Sequence, residues 1–177
     1  MSERRAMRDE MSNELAISVR RARPEDAAAL ARLVNRAYEI EQFFVDGDRT
    51  NADEIVRMMG SGEFVTLEHE SGLAGAVYVQ VTGQRGYFGM LSVDPDCQGE
   101  GLGVRLVRIA EAICEAMGAA YVDLKIINLR EELSRWYKSL GYREVGIAPY
   151  SHRSVKQPCH FVEMRKSLRS LTMEAVA

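Results

Sequence analysis

Apolar and polar residues alternate over Ile17-Ser18-Val19-Arg20, which predicts a short first strand. Arg23-Pro24-Glu25-Asp26 then opens a helix, since proline suits a first turn and acids there favour the positive end of the dipole. Leu30, Leu33, Val34, Ala37 and Tyr38 follow at helical spacing and form one buried stripe. Asn51-Ala52-Asp53-Glu54 caps a second, shorter helix that runs through Met59 and ends at Gly60-Ser61-Gly62. Three strands come next: Phe64 to His69, Leu73 to Thr82 and Tyr87 to Val93. The turns between them, Glu70-Ser71-Gly72 and Gly83-Gln84-Arg85-Gly86, are short enough to make an antiparallel meander. In the second of these strands the alternation assigns Ala74, Ala76, Tyr78 and Gln80 to one face, and Gly75, Val77, Val79 and Val81 to the other.

A helix-patterned run, Val104 to Met117, follows. Leu102, Leu106, Ile109, Ile113 and Met117 are its expected inner face, and Gly118 is a natural residue just past its end. The strand Tyr121 to Ile127 comes after it. A strand-helix-strand unit implies a parallel pair with a right-handed crossover. The fold class is therefore α/β with a mixed sheet, antiparallel in front and with one parallel joint. A helix from Arg130 to Leu140 and strands at Tyr142 to Ile147 and His160 to Met164 complete the pattern, around a polar loop from Ala148 to Pro158. Residues 1–14 are polar without a sustained period and read as a mobile arm. Residues 15–168 form one domain, and 169–177 a tail.

The chemistry concentrates at Asp94-Pro95-Asp96-Cys97-Gln98-Gly99-Glu100-Gly101-Leu102-Gly103, between a strand and a helix. Glycines let backbone N–H groups crowd together, and a helix starting there aims free N–H groups and its positive end at the loop. In outline this is a phosphate cradle. Val104-Arg105 follows the last glycine where a nucleotide P-loop has Lys-Ser/Thr. The spacing G-x-G-x-G also differs from the dinucleotide fingerprint, and the next strand ends in Ile127-Asn128 rather than an acid.

Composition narrows the partners. A net charge of −3 and a pI near 5.7 provide no general basic field for nucleic acid or an anionic membrane. The 3 cysteines are scattered and form no C-x-x-C pair, which argues against a disulfide framework and a structural zinc site and fits a reducing cytoplasm. Met-Ser-Glu-Arg-Arg leads into no apolar segment, so no secretory signal is expected, and no apolar run is long enough to span a bilayer.

The pattern Q-x-x-G-x-G, filled by Gln98, Gly101 and Gly103 after Leu91-Ser92-Val93-Asp94-Pro95, resembles the acyl-CoA pyrophosphate loop of GNAT-family N-acetyltransferases. A second stretch, Asn128-Leu129-Arg130-Glu131-Glu132-Leu133 with Trp136-Tyr137-Lys138-Ser139-Leu140-Gly141-Tyr142, resembles the family's later motif. The order of elements from about Ile17 to Ser167 resembles the family too, most closely its uncharacterised bacterial members. The resemblance implies a mainly antiparallel central sheet flanked by helices, with a V-shaped cleft between two central parallel strands. It implies acetyl-CoA as cosubstrate and no metal. Backbone of Leu91, Ser92 and Val93 would pair with the pantetheine arm. Amides of Gly99, Glu100, Gly101, Leu102, Gly103 and Val104 would hold the pyrophosphate, with Gln98 shaping the loop. Asn128 would touch the pantetheine or shape the cleft, and Tyr137 would sit near the thioester sulfur. Family members are often dimers, so a homodimer is one assembly the resemblance allows.

The implied reaction is direct attack of a neutral amine on the thioester. The oxyanion needs N–H donors, which strand backbone near Leu91 could supply. Tyr137 is the candidate acid for the departing thiolate. Trp136 is assigned to the core. Some family members place a glutamate on the central strand; here Tyr87 stands at that place, with no carboxylate between Arg85 and Asp94. Glu41 or Asp46, acting through water, and His160 are the candidate bases, beside ordered water with no dedicated base. Cys159 is not needed as a nucleophile. The segment Glu39 to Thr50, with Phe43 and Phe44 among acids, is either a core plug or a substrate wall. Phe43, Phe44, Tyr87 and Arg153 are the candidate acceptor-binding residues. The acids favour a cationic amine, whereas Arg153 and Lys156 could meet a carboxylate; a small-molecule amine, including a zwitterion, is the expected acceptor. A non-catalytic acyl-CoA-binding module on the same fold is the alternative reading.

Overall fold

The structure, a computed structural model, describes residues 17–168. The arm expected over residues 1–14 and the tail over 169–177 lie outside them. Strand β1 (Ser18–Arg21) leads through a 3-10 turn at Pro24–Asp26 into helix α1 (Ala27–Ala37). A second 3-10 turn, Glu39–Phe43, precedes α2 (Ala52–Met59). Asn51 caps α2 as its sequence predicts, its side chain accepting the Glu54 N–H at 2.9 Å. The meander is β2 (Glu63–His69), β3 (Gly72–Thr82) and β4 (Arg85–Val93). Then come α3 (Leu102–Ala116), β5 (Tyr121–Ile127), α4 (Glu131–Ser139), β6 (Arg143–Pro149) and β7 (His160–Ser167).

The strands form one seven-stranded sheet in the order β1-β2-β3-β4-β5-β7-β6. Among the described residues only β4 and β5 pair in parallel. A core on one side packs Leu102, Leu106, Val107, Ala110 and Cys114 of α3 against Val77, Val79, Phe88, Val122 and Leu124. A second core packs Leu30, Leu33 and Val34 of α1 and Ile55 of α2 against Phe64, Ala76, Tyr78 and Met90. Both faces of the central strands are thus covered, which is why β3 is buried from Ala74 to Val79.

Two packing expectations change. Ala74 joins Val77 and Val79 rather than Ala76 and Tyr78. The β2–β3 register shifts between Leu67 and Glu68, and a bulge there puts Ala74 out of step with the alternation. On α3 the buried stripe is Leu102, Leu106, Ala110 and Cys114, while Met117 is 58% exposed. Small residues let that helix approach closely: a Cβ on Gly86 of β4 would meet the Cys114 sulfur at 2.6 Å.

Asp123 of β5 joins three adjacent strands, β4, β5 and β7. Its carboxylate accepts from Arg85 Nε of β4 at 2.8 Å and from Arg165 Nε and Nη2 of β7 at 2.7 and 2.9 Å. The Arg165 guanidinium also lies 3.9 Å from the centre of the Tyr121 ring. Burial pushes the Asp123 carboxyl up, but the bonds from Arg165 and Arg85 outweigh it and hold the group below the usual carboxylate range. A carboxyl depressed in this way stabilises the fold above its unfolded value of about 3.9, and the contribution is lost as pH falls through the folded value. Asp123→Asn is expected to cost about 2 kcal/mol at pH 7, because solvent recovers part of the loss at the more exposed arginines. Urea unfolding checks this, and the difference from the unsubstituted protein should shrink below about pH 3.9.

Candidate active site

The parallel pairing of β4 with β5 is short: Arg85 opposite Tyr121, Gly86 opposite Val122 and Tyr87 opposite Asp123. Past those residues the strands separate. β4 carries a bulge against β3, since Ala76 faces Ser92 but Tyr78 faces Gly89. Met90 lies in that bulge at φ 48°, a left-handed conformation costly for a non-glycine residue and held by its burial. A bulge bends the strand that carries it. The diverging strands leave a cleft of about 640 Å³ lined by Phe88 to Leu91 and Val93 of β4 and by Leu124 to Ile127 of β5.

At one end the cleft meets the start of α3. Gly99 and Gly101 have φ of 88° and 76°, the region that favours glycine, and open space surrounds both. The first backbone bond of the helix runs from the Arg105 N–H to the Gly101 carbonyl at 3.1 Å. The N–H groups of Leu102, Gly103 and Val104 therefore have no acceptor within the helix. Gln98, Gly99, Gly101, Leu102, Gly103 and Val104 all line the cleft. Glu100 is exposed and does not. A Cβ on Gly103 would lie 3.4 Å from the Trp136 ring, so the glycine lets α3 and α4 meet there. Leu91 and Val93 line the cleft, whereas the Ser92 side chain turns inward and donates to the Met90 carbonyl at 3.0 Å.

Midway, α4 presents Tyr137 and Trp136 to the cleft. Trp136 is only partly buried, so its expected core role is shared with the cleft wall. The Tyr137 ring is fixed by Phe88, Trp136 and Tyr142, with centres 6.1, 4.7 and 5.6 Å away. Burial raises its pKa, keeping the phenol protonated at neutral pH. Asn128 is not in the lining. It ties β5 to β7, accepting the His160 N–H on Oδ1 at 2.8 Å while its own N–H donates to the His160 carbonyl at 2.9 Å. His160, Asp46 and Cys159 also lie outside the cleft lining.

The far end is built by two loops. Backbone of 44–46 meets backbone of 154–156: the Asp46 N–H donates to Ser154, the Lys156 N–H to Phe44, and Val45 bridges Val155. Here the substrate-wall expectation changes. Neither Phe43 nor Phe44 lines the cleft, and Phe43 is 77% exposed, because Val45 takes the buried position. Arg153 and Lys156 are consumed by the loop pairing. Arg153 donates to the Gly47 carbonyl at 2.9 Å and pairs with Glu41 at 3.4 Å, and Lys156 donates to the Gln42 carbonyl at 2.6 Å.

Tyr87 and Glu41 do line this end, with Tyr38, Arg49, Arg130, Tyr150, His152 and Phe161, which sequence reasoning missed. Glu41 also pairs with Arg130 at 3.8 Å. Burial raises the Glu41 pKa, and Arg130, Arg49 and Arg153 counter it in part. Burial lowers that of His152, with Arg49 adding to the effect, so the imidazole is neutral at pH 7. Tyr87 curls over the strand: a Cβ on Gly89 would lie 2.6 Å from its hydroxyl. No sequence period marks these residues; only the Tyr-x-His-Arg run at 150–153 and the lone arginine at 49 were visible.

A splayed parallel pair with a glycine-rich helix start at one mouth defines an acyltransferase type of α/β fold. The chain belongs to the GNAT acetyltransferase family: the model of its acetyltransferase (GNAT) domain matches residues 22–168. Solved structures share the fold. The ribosomal-protein-S18-alanine N-acetyltransferase from Escherichia coli is 19% identical, with a TM-score of 0.70 over 91% of this chain and 99% of its own. Ard1 from Thermoplasma volcanium is 16% identical, with a TM-score of 0.70 over 88% and 100%. The protein yncA from Salmonella typhimurium, with its cofactor acetyl-CoA, is 17% identical, with a TM-score of 0.67 over 92% and 99%. No protein of curated function matches the sequence. Among the described residues no helix is long and apolar enough to cross a membrane.

Gly101→Val should be costly, because a β-branched residue resists the left-handed conformation by about 1–2 kcal/mol. Calorimetry should show CoA affinity reduced at least about tenfold, with Gly101→Asn, which tolerates that conformation, less affected.

Proposed function

We propose that the protein transfers the acetyl group of acetyl-CoA to the amine of a small-molecule acceptor, by direct attack within a ternary complex. The supporting observation is one continuous cleft that joins the free N–H groups of α3 to Tyr137 and onward to Glu41. The residues present suit the donor. Leu102, Gly103 and Val104 offer backbone N–H groups beside two glycines with open space around them, a cradle for the pyrophosphate with Gly99 and Gln98 at its rim. The unpaired edge of β4 at Leu91 to Val93 offers backbone partners to the pantetheine amides. Asn128 shapes the cleft from behind by locking β5 to β7. When bound, acetyl-CoA supplies an activated acyl thioester.

The chain's own groups then divide the work. Backbone N–H at Leu91 polarises the acyl oxygen. Tyr137 keeps its proton until the sulfur departs, then donates it. The acceptor amine must be neutral to attack, and Glu41 takes its proton through water; Arg130 and Arg153 hold that carboxylate in place. Tyr87 and the Tyr150–His152 loop wall the acceptor. Three free cysteines fit a reducing cytoplasm.

Tyr137→Phe should lower kcat about 100-fold with little loss of stability, since among the described residues the hydroxyl has no side-chain hydrogen-bond partner. Free-thiol release from acetyl-CoA with an amine panel reads this. CoA binding without thiol release for any amine would favour a non-catalytic CoA module instead.

A base works deprotonated, so kcat/KM should fall as pH drops through the Glu41 pKa, which burial places above the ordinary carboxylate range. That limb should vanish in Glu41→Gln and persist in His152→Asn; the opposite pattern would move the role to the neutral imidazole.

A further inference from the structure

Three cations line the cleft: Arg49, Lys125 and Arg130. Lys125 pairs with Glu163 at 3.1 Å, and Arg130 pairs with Glu41 and Glu132. Arg49 is different. Among the described residues no carboxylate lies within ion-pair distance of it, and its guanidinium donates no hydrogen bond. It is partly buried, with the guanidinium carbon 5.7 Å from the centre of the Tyr38 ring. A cation over a ring face is stabilised, but among the described residues none of the five N–H donors reaches a protein acceptor. A guanidinium on a cleft wall that no protein acceptor engages is free to take an anion entering the cleft.

The nearby acids do not supply it. Glu41 is taken by Arg130 and Arg153. Asp48 and Glu54 share a polar recess with Arg49, but neither reaches ion-pair distance, and Glu54 accepts the Thr50 hydroxyl at 2.7 Å.

The backbone next to Arg49 is also fixed. Asn35 of α1 grips the next residue twice, donating to the Thr50 carbonyl at 2.9 Å and accepting the Thr50 N–H at 3.0 Å. The charge acts on the acceptor end, since it counters the burial of Tyr38, Glu41 and Tyr87 and adds to that of His152.

We infer that Arg49 is the receptor for a carboxylate on the acceptor, so that the substrates are amines carrying a carboxylate, amino acids and their close relatives. The planar fork of a guanidinium matches a carboxylate by two parallel bonds. Aromatic rings of Tyr38, Tyr87, Tyr150 and Phe161 flank the space beside it and suit an acceptor with an apolar body. This inference rests on acyl transfer as the function of the cleft, and the test separates the two.

Calorimetry with CoA-loaded protein would compare the N-acetyl derivatives of glycine, alanine, methionine, phenylalanine and glutamate, each as acid and as carboxamide, with inorganic phosphate alongside. At least one acid should bind about tenfold or more tightly than its carboxamide. Arg49→Met should erase that preference while carboxamide binding stays within about twofold, and Arg49→Lys should keep part of it. Equal binding of acids and carboxamides, no binding of any acid, tighter binding of phosphate than of every acid, or an Arg49→Met protein that still prefers acids would each overturn the assignment. Thiol release with the free amino acids is read separately. Arg49-dependent selection of acids without thiol release defeats acyl transfer and leaves the anion site standing. Thiol release from amines that is indifferent to both the carboxylate and Arg49 defeats the anion site and leaves acyl transfer standing.

Discussion

The cleft exists because two parallel strands are tied at one end and separate at the other. Asp123 makes the tie. It is the single carboxylate shared by Arg85 and Arg165, and so it belongs to β4, β5 and β7 together. The three paired residues on each side of the joint leave little backbone bonding there. Without the side-chain clasp, the base of the V would rest on those few bonds and on apolar contact. The bulge at Met90 acts from the other direction, turning β4 away just beyond the joint.

On either side of that opening, the walls are coupled through the cores. α3 brings its first turn to the mouth only because it lies close on β4, with Cys114 against Gly86. Its own Gly103 is in turn met by Trp136, the residue next to Tyr137. The glycine loop and the Tyr137 phenol are therefore joined by one short contact path through adjacent residues of α4. A displacement of either would be felt at the other, since packed side chains have little room to absorb it.

Much of this was legible beforehand because it is local. Glycine spacing, a helix start and a strand of alternating residues are short-range signals, and Gln98, Gly99, Gly101 to Val104 and Tyr137 all line the cleft, whereas Glu100 does not. The bulges were not legible. Nothing in the Ala74 or Met90 neighbourhood breaks the alternation in sequence, because a bulge is a property of two paired strands. The far end of the cleft was less legible for a related reason. Phe43 and Phe44 look like a wall and Arg153 looks like a free cation until residues more than 100 positions apart are paired. Glu41 and Gly47 then claim Arg153, Val45 claims the buried position, and Arg49 is left as the unclaimed charge.

That pairing of loops is made chiefly by backbone groups: Asp46 to Ser154, Lys156 to Phe44 and Val45 to Val155. Peptide groups are the same whatever side chain they carry. Those backbone bonds set the path of both loops without regard to side chain, and the flanking residues Arg49, Tyr150 and His152 carry the side chains that line the cleft. The end of the cleft at α3 is constrained by the left-handed glycines and by helix geometry. The opposite end is a backbone frame into which evolution or a protein engineer can write new residues without redrawing the frame.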